Sequence, residues 1–335
     1  MILRGRFFYL LYYLRETERK RFHKFLNYAK KASGYSGIRL VGDAVISVFK
    51  YNVSILDYFY FRFFEIRHNK RIKWAGTGFM YEFQLEMNPL ESRTLLSDKI
   101  KFLQYFKPFI KRWHYNLEEL KKSRDILSGI LTAGNDRIVL KGSTGQIGSE
   151  VEVVQCSDFT SDGLIEYMGK NGFDLVEEYI IQHPALMELS PSGLNTVRVI
   201  TQVSGGSVDL IGCRLRISVN SPVDNMAAGN LAAPVDCATG IVTGPGVFSD
   251  ITKPDMDIHP VTDKPITGFT VPMWDQTIAL AREAALFGAQ NRSVGWDIAI
   301  TANGPELIEG NHNWCKLLWQ LPVKQGLRSE LIKYL

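Results

Sequence analysis

The stretch Gly295-Trp296-Asp297-Ile298-Ala299-Ile300 runs into turn residues Asn303-Gly304-Pro305, followed by Glu306-Leu307-Ile308-Glu309-Gly310-Asn311. Two short apolar, β-rich runs around a turn predict a β-hairpin. Strand alternation puts Asp297 and Ala299 on one face of the first run, and Glu309 and Asn311 on one face of its partner. Pairing about Asn303-Gly304 would bring the Asp297 carboxylate near the side-chain oxygens of Glu309 and Asn311. Two carboxylates and an amide oxygen are hard donors, suited to Mg²⁺ that also holds phosphate oxygens. A solvated hairpin with ordinary surface acids fits these residues equally well. The rest of the chain has to decide.

The 335 residues are 45% hydrophobic and 22% charged, as expected of a globular protein of about two domains with ample core. A formal charge of +4 is too small to argue for nucleic acid. Cys156, Cys213, Cys237 and Cys315 form no CxxC pair and read as reduced, mostly buried thiols. No apolar run approaches the roughly 20 residues of a membrane span. The opening apolar block lacks a small-residue cleavage site, which argues against a signal peptide. The expected location is cytoplasmic.

Residues 1 to about 31 predict a basic, aromatic helical segment carrying Arg15, Arg19, Lys20, Arg21, Lys24, Lys30 and Lys31. Such a helix can lie on an anionic membrane surface. A peripheral helix whose aromatic stripe packs on the core is the favoured expectation. The aromatics from Tyr51 to Phe64 predict core packing between helices. Ser97 or Asp98 can cap a helix that starts at Lys99.

A helix is expected from about 116 to 136. After it, Arg137-Ile138-Val139-Leu140-Lys141 predicts a strand running into the loop Gly142-Ser143-Thr144-Gly145. Backbone N–H groups and hydroxyls in such a loop can wrap polyphosphate while Lys141 neutralises charge. A plain β-turn is the simpler alternative, and the spacing matches no P-loop. Ser204-Gly205-Gly206-Ser207 predicts a hairpin turn followed by a strand that places Arg214 and Arg216 on one face. Buried guanidiniums need anions beside them. Gly240 to Gly268 reads as loop, and 272 to about 291 as a helix with Pro272 in its first turn.

In this order, Asp98-Lys99, the Lys141 glycine loop, the acidic Glu177-Glu178 strand, the Asn195-Thr196-Val197-Arg198 run and Asp297…Glu309-x-Asn311 resemble the ATP-grasp superfamily of carboxylate–amine ligases. The wording "GWDIAI…GPELIEGN" looks closest to its sugar-transfer-associated branch. The resemblance spans roughly residues 95 to 315 and implies an α+β ATP-grasp fold, two α+β subdomains clasping ATP. Implied with it are a helical, aromatic-rich region at 1–94 that could bind the acceptor, a small lid subdomain at 95–178, and a C-terminal subdomain with the metal site at 179–335.

By the same resemblance, Lys99 and Lys141 reach nucleotide phosphates under a lid of Gly142, Ser143 and Gly145. Glu177, Glu178 and Ile180 form the adenine hinge, and Gln182 or His183 meets the ribose. Arg198 and, less directly, Arg216 hold the transferred phosphate. Asn225 orients substrate or leaving phosphate from a loop in which Gly229-Asn230 stands where many relatives have two glycines. Asp297, Glu309 and Asn311 hold Mg²⁺. The implied activity is ATP-dependent amide formation through an acyl phosphate, joining a small amine to a sugar acid of a surface polysaccharide precursor. The acceptor is then a sugar nucleotide or polysaccharide, with peripheral membrane association through the basic helix as an added option. A kinase acting on a hydroxyl, or a non-catalytic nucleotide-binding protein at the membrane, are the alternatives.

Overall fold

The computed structural model describes residues 2–132, 136–143 and 151–335, with side chains from residue 6 onward in the first segment. The first part is helical: α1 (Ile2–Glu16), α2 (Arg19–Ser33), α3 (Gly37–Tyr51) and α4 (Ile55–Tyr60). Several boundaries have a local cause. Gly34 ends α2 at φ 72°, a left-handed conformation that costs glycine nothing. Ser36 caps α3 through Arg39 N, and Ser54 with Asp57 forms a capping box on α4. The aromatics do pack between helices: Tyr51, Tyr58, Phe59, Phe61 and Phe63 are all buried in this bundle.

Two antiparallel sheets follow. The smaller has four strands in the order β1-β4-β2-β3, with β1 His114–Asn116, β2 Arg137–Lys141, β3 Val151–Gln155 and β4 Leu175–Glu178. Leu120, Leu127, Leu164 and Met168, from the helices beside it, bury its apolar face. The expected helix from 116 to 136 is two helices, Leu117–Lys122 and Arg124–Thr132, the first capped by an Asn116–Glu119 box. The larger sheet has five strands in the order β7-β6-β5-β8-β9. They are β5 Thr196–Ser204, β6 Ser207–Ile217, β7 Leu231–Val235, β8 Ser293–Thr301 and β9 Gly304–Asn311. Gly205 and Gly206, at φ 56° and 79°, make the tight β5–β6 turn that the sequence announces.

One face of the larger sheet is almost entirely apolar. Val197, Val199, Leu215, Trp296, Ile298 and Leu307 pack against the helix Trp274–Phe287. That helix begins two residues after Pro272, not with it, because Met273 takes the N-cap position. The helix Lys99–Tyr105, capped by Asp98 through Lys101 N, buries Phe102 and Leu103 in this same core. The helical bundle is tied to the C-terminal part by an ion pair from the partly buried Lys316 to the buried Asp57 at 3.1 Å.

The β8–β9 hairpin forms, but its register is not the one expected. Thr301 pairs with Gly304, so the turn is Ala302-Asn303, one residue earlier than Asn303-Gly304. Regular alternation from this turn would set Ile308 opposite Asp297 and leave Glu309 on the apolar face with Leu307. A β-bulge absorbs the extra residue: Ile298 pairs with Leu307, whereas Asp297 pairs with Glu309. The bulge carries Glu309 to the face of Asp297.

Candidate active site

The other face of the five-stranded sheet lines a cleft, and its centre is buried yet carries charge. Arg198 on β5 sits directly across from Asp297 on β8 and, on its other side, from Arg214 on β6. The Arg198 guanidinium grips Asp297 with both prongs, Nη2 donating to Oδ2 at 2.8 Å. Arg216 donates to the same carboxylate and reaches Asp224 at 2.7 Å. Gly295 makes room for this: a Cβ there would lie 2.7 Å from Trp314 Cβ and 3.0 Å from Arg198 Cδ.

Asp297 is 1% exposed, and burial alone would raise its pKa. The Arg198 and Arg216 charges outweigh burial and hold it well below the usual carboxylate range. Glu309 behaves in the opposite way. Burial, then the negative charge and hydrogen bond of Asp297, push its carboxyl up. Asn311 donates to Glu309 at 3.1 Å and to the Gly295 carbonyl at 3.3 Å. Two facing carboxyl groups are thus compensated unevenly, Asp297 well and Glu309 poorly. Among the described residues no three His, Cys, Asp or Glu side chains gather as a complete metal cage.

Arg214 and Arg216 share a face as expected, but only one of them meets carboxylates. Arg214 donates to the Trp319 and Cys213 carbonyls and fixes the C-terminal helix Lys316–Gln320 against the sheet. Burial without an acid brings its pKa down to about 10.

Opposite this face, across a cleft of about 680 Å³, stand Lys99, Lys141, Glu177, Glu178 and Ile180. Lys141 pairs with Glu177 at 2.7 Å. Glu177 also holds Arg112 at 2.6 Å, and Arg112 bridges onward to Glu306 at 3.1 Å, so the small sheet is stitched to β9 by buried charges. Burial would raise the Glu177 pKa, but Arg112 and then Lys141 bring it down to about 2. The Lys99 ammonium donates to the Gly142 carbonyl, and its backbone N–H donates to Ser143 O at 3.1 Å. Ser143 is engaged by Asp174 through its N–H at 2.6 Å. Gly145 lies outside the described residues.

Asn225 also lines the cleft, its side chain accepting from Ala227 N at 2.9 Å. Asn230, the departure from the two-glycine pattern, is fully buried and stitches the loop together, donating to the Val223 and Asn225 carbonyls at 2.7 and 3.0 Å. The two residues expected at the ribose are engaged in their own loop. The His183 ring accepts from Ala185 N at 3.2 Å as the cap of helix Pro184–Leu189, outside the cleft lining. Gln182 is buried beneath it, donating to the Ser190 and Gly193 carbonyls. Both are committed to holding their own loop.

Three residues of the site were not anticipated: Arg112, Asp224 and Arg21. A single arginine between Lys111 and Trp113 carries no signal of burial, because its partners are 65 and 194 residues away. Asp224 could have been found as the acid next to Asn225 that an arginine-bearing sheet face requires. Arg21 and Tyr60 bring the helical bundle to the rim of the cleft.

Two sheets enclosing a cleft, lysines on one wall and a carboxylate pair on the other, agree with the sequence comparison, in which residues 79–334 match the sugar-transfer associated ATP-grasp family. The chain belongs to that family. Solved structures similar to this ATP-grasp chain include the ATP-grasp ligase PsnB with precursor peptide and AMPPNP, at 13% identity and TM-score 0.43 over 74% of this chain and 61% of that one. An L-amino acid ligase from Bacillus licheniformis matches at 10% identity and TM-score 0.43, over 71% of this chain and 47% of that one. A D-alanyl-alanine synthetase A from Vibrio cholerae matches at 11% and 0.41, over 73% and 62%. The chain thus spans about half to three fifths of the length of these proteins. No curated protein sequence matches it.

Proposed function

We propose that this ATP-grasp protein is an ADP-forming carboxylate–amine ligase, joining an amino acid or similar small amine to a sugar acid of a surface polysaccharide precursor. The observation that carries the reading is the uneven compensation of the facing Asp297 and Glu309 in a cleft also lined by two lysines. A divalent cation fits these donors, since it would relieve the repulsion between the Asp297 and Glu309 carboxyl groups, which the arginines compensate unevenly. Asp297, Glu309 and Asn311 would hold Mg²⁺, which would offset charge on the β- and γ-phosphates of ATP.

The protein's own part is positioning and charge. Lys141 and Lys99 meet the phosphates, for which Lys141 must exchange some of its contact with Glu177. Arg198 and Arg216, held by Asp297 on β8 and Asp224 in the loop after β6, would neutralise a transferred phosphoryl group. The acid's carboxylate attacks the γ-phosphorus, giving an acyl phosphate and ADP. The amine then attacks the acyl carbon, phosphate leaves, and the amine's proton is lost to give the amide.

The test is ADP and phosphate release with MgATP over a panel of amino acids crossed with uronic-acid sugar nucleotides. Release is expected to need both an acid and an amine and to vanish in Glu309→Ala. Release driven by a hydroxyl compound with no amine would make the protein a kinase. Nucleotide binding that Glu309→Ala leaves intact, without turnover on any pair, would count against catalysis.

A further inference from the structure

We propose that the outer face of α1 docks the protein onto an anionic lipid bilayer. α1 is apolar on both sides. Its inner side, Tyr9, Leu10 and Tyr13, packs on the bundle core, as an aromatic stripe should. Its outer side does not. Phe8 is 67% exposed, Tyr12 59% and Leu14 58%, with Phe7 and Leu11 about half exposed. On α3, which packs against α1, Ile38 and Ile46 are 89% and 60% exposed. Of the 23 large exposed hydrophobics among the described residues, nine fall between Phe7 and Ile46, far above an even spread. Soluble surfaces scatter such residues singly, and a patch of this density marks an interaction face.

Charge selects the occupant. Residues 1–50 hold eleven Lys and Arg against three Asp and Glu, a net +8, whereas the whole chain is +4, so the remainder is −4. A second copy meeting this face through its own α1 would set one +8 region against another. A membrane rich in anionic lipid is complementary to it. Aromatic and aliphatic side chains beside Lys and Arg are the composition of helices that lie in the bilayer interface. At 15 residues α1 is about 22 Å long, and no described helix is long and apolar enough to cross a membrane. It would lie flat. Because Arg21 of α2 lines the cleft, docking would hold the cleft near the lipid surface.

The experiment is co-sedimentation of the whole chain with vesicles of phosphatidylcholine alone or of phosphatidylcholine mixed with phosphatidylglycerol. Expected is binding to the mixed vesicles that is at least about tenfold stronger than to the neutral ones and falls with added salt. Phe8→Asp with Leu11→Asp should reduce it at least about tenfold while ATP binding and melting stay unchanged. Should that variant not melt cooperatively, Phe8→Ser with Leu14→Ser replaces it. Equal binding to neutral vesicles, binding that neither variant weakens, or no vesicle binding would overturn the proposal. A lipid-free dimer that the variants dissociate, without vesicle binding, would assign the face to a second copy instead.

Discussion

The two faces of the five-stranded sheet do opposite work, one sealed under a helix and the other opening on the cleft. On one, Trp296, Ile298 and Leu307 meet the helix Trp274–Phe287, and burial is favourable in itself. On the other, Arg198, Arg216 and Asp297 are each at most 9% exposed, and burial is a cost that only mutual pairing offsets. Alternate residues of single strands, Trp296 and Asp297 or Val197 and Arg198, serve the two regimes. Burial alone therefore says nothing about role. What separates the faces is how each responds when one partner is removed.

Asp297→Ala should show the largest effect, because it strands the buried Arg198 guanidinium and leaves Arg216 with Asp224 alone: a loss of about 3–5 kcal/mol in denaturant unfolding together with loss of ATP turnover. Trp296→Ala, one residue away on the other face, should cost a similar 3–5 kcal/mol or so. It empties the contact with Phe106 and the hydrogen bond to Thr201. Turnover per folded molecule should survive, and a selective loss of turnover would break the division between the faces.

Glu309→Ala is expected to lower turnover by at least about a hundredfold with a melting temperature no lower than wild type. The reason is that the Glu309 carboxyl is held in surroundings that disfavour its charge. A melting temperature several degrees lower would show that Glu309 holds the sheet together. Lys141→Ala should raise the KM for ATP about tenfold, near 1.4 kcal/mol, with little change in stability, since Arg112 still neutralises Glu177.

The smallest effect is on pH. Glu177 has a folded pKa lowered from the ordinary 4.5 to about 2. Its contribution is fully present above pH 4.5 and is lost as pH falls from there toward 2. Glu177→Gln should flatten that part of the stability–pH curve, measured by urea unfolding. An unchanged slope would mean that other acids set it.

Local chemistry was legible in the sequence: the Asp98 cap, the Gly205-Gly206 turn, the aromatic helices, and the strands that carry Arg198, Asp297 and Glu309. The α+β ATP-grasp architecture was legible through the order of those parts. What could not be read were contacts set by distant partners. Arg112 has no neighbour in sequence to announce that it joins Glu177 to Glu306. His183 looked available because the capping of helix Pro184–Leu189 is decided by how the loop docks. The aromatic stripe of α1 packs on the core through Tyr9, Leu10 and Tyr13, but the exposed apolar side opposite it could not be read, because helical periodicity shows that a face is apolar and not which neighbours are present to cover it.

The bulge at Ile308 has a bearing on how such proteins are compared. In strand pairing the sheet counts register, not residues, so the separation between the aspartate and the glutamate of this hairpin is free to change by one. A chain without Ile308 could keep the same turn and the same Asp297–Glu309 pairing in an unbulged strand. A search pattern that fixes that spacing would pass over it. The invariant to look for is the pair of facing positions, and the number of residues between them is only how one chain arrives there.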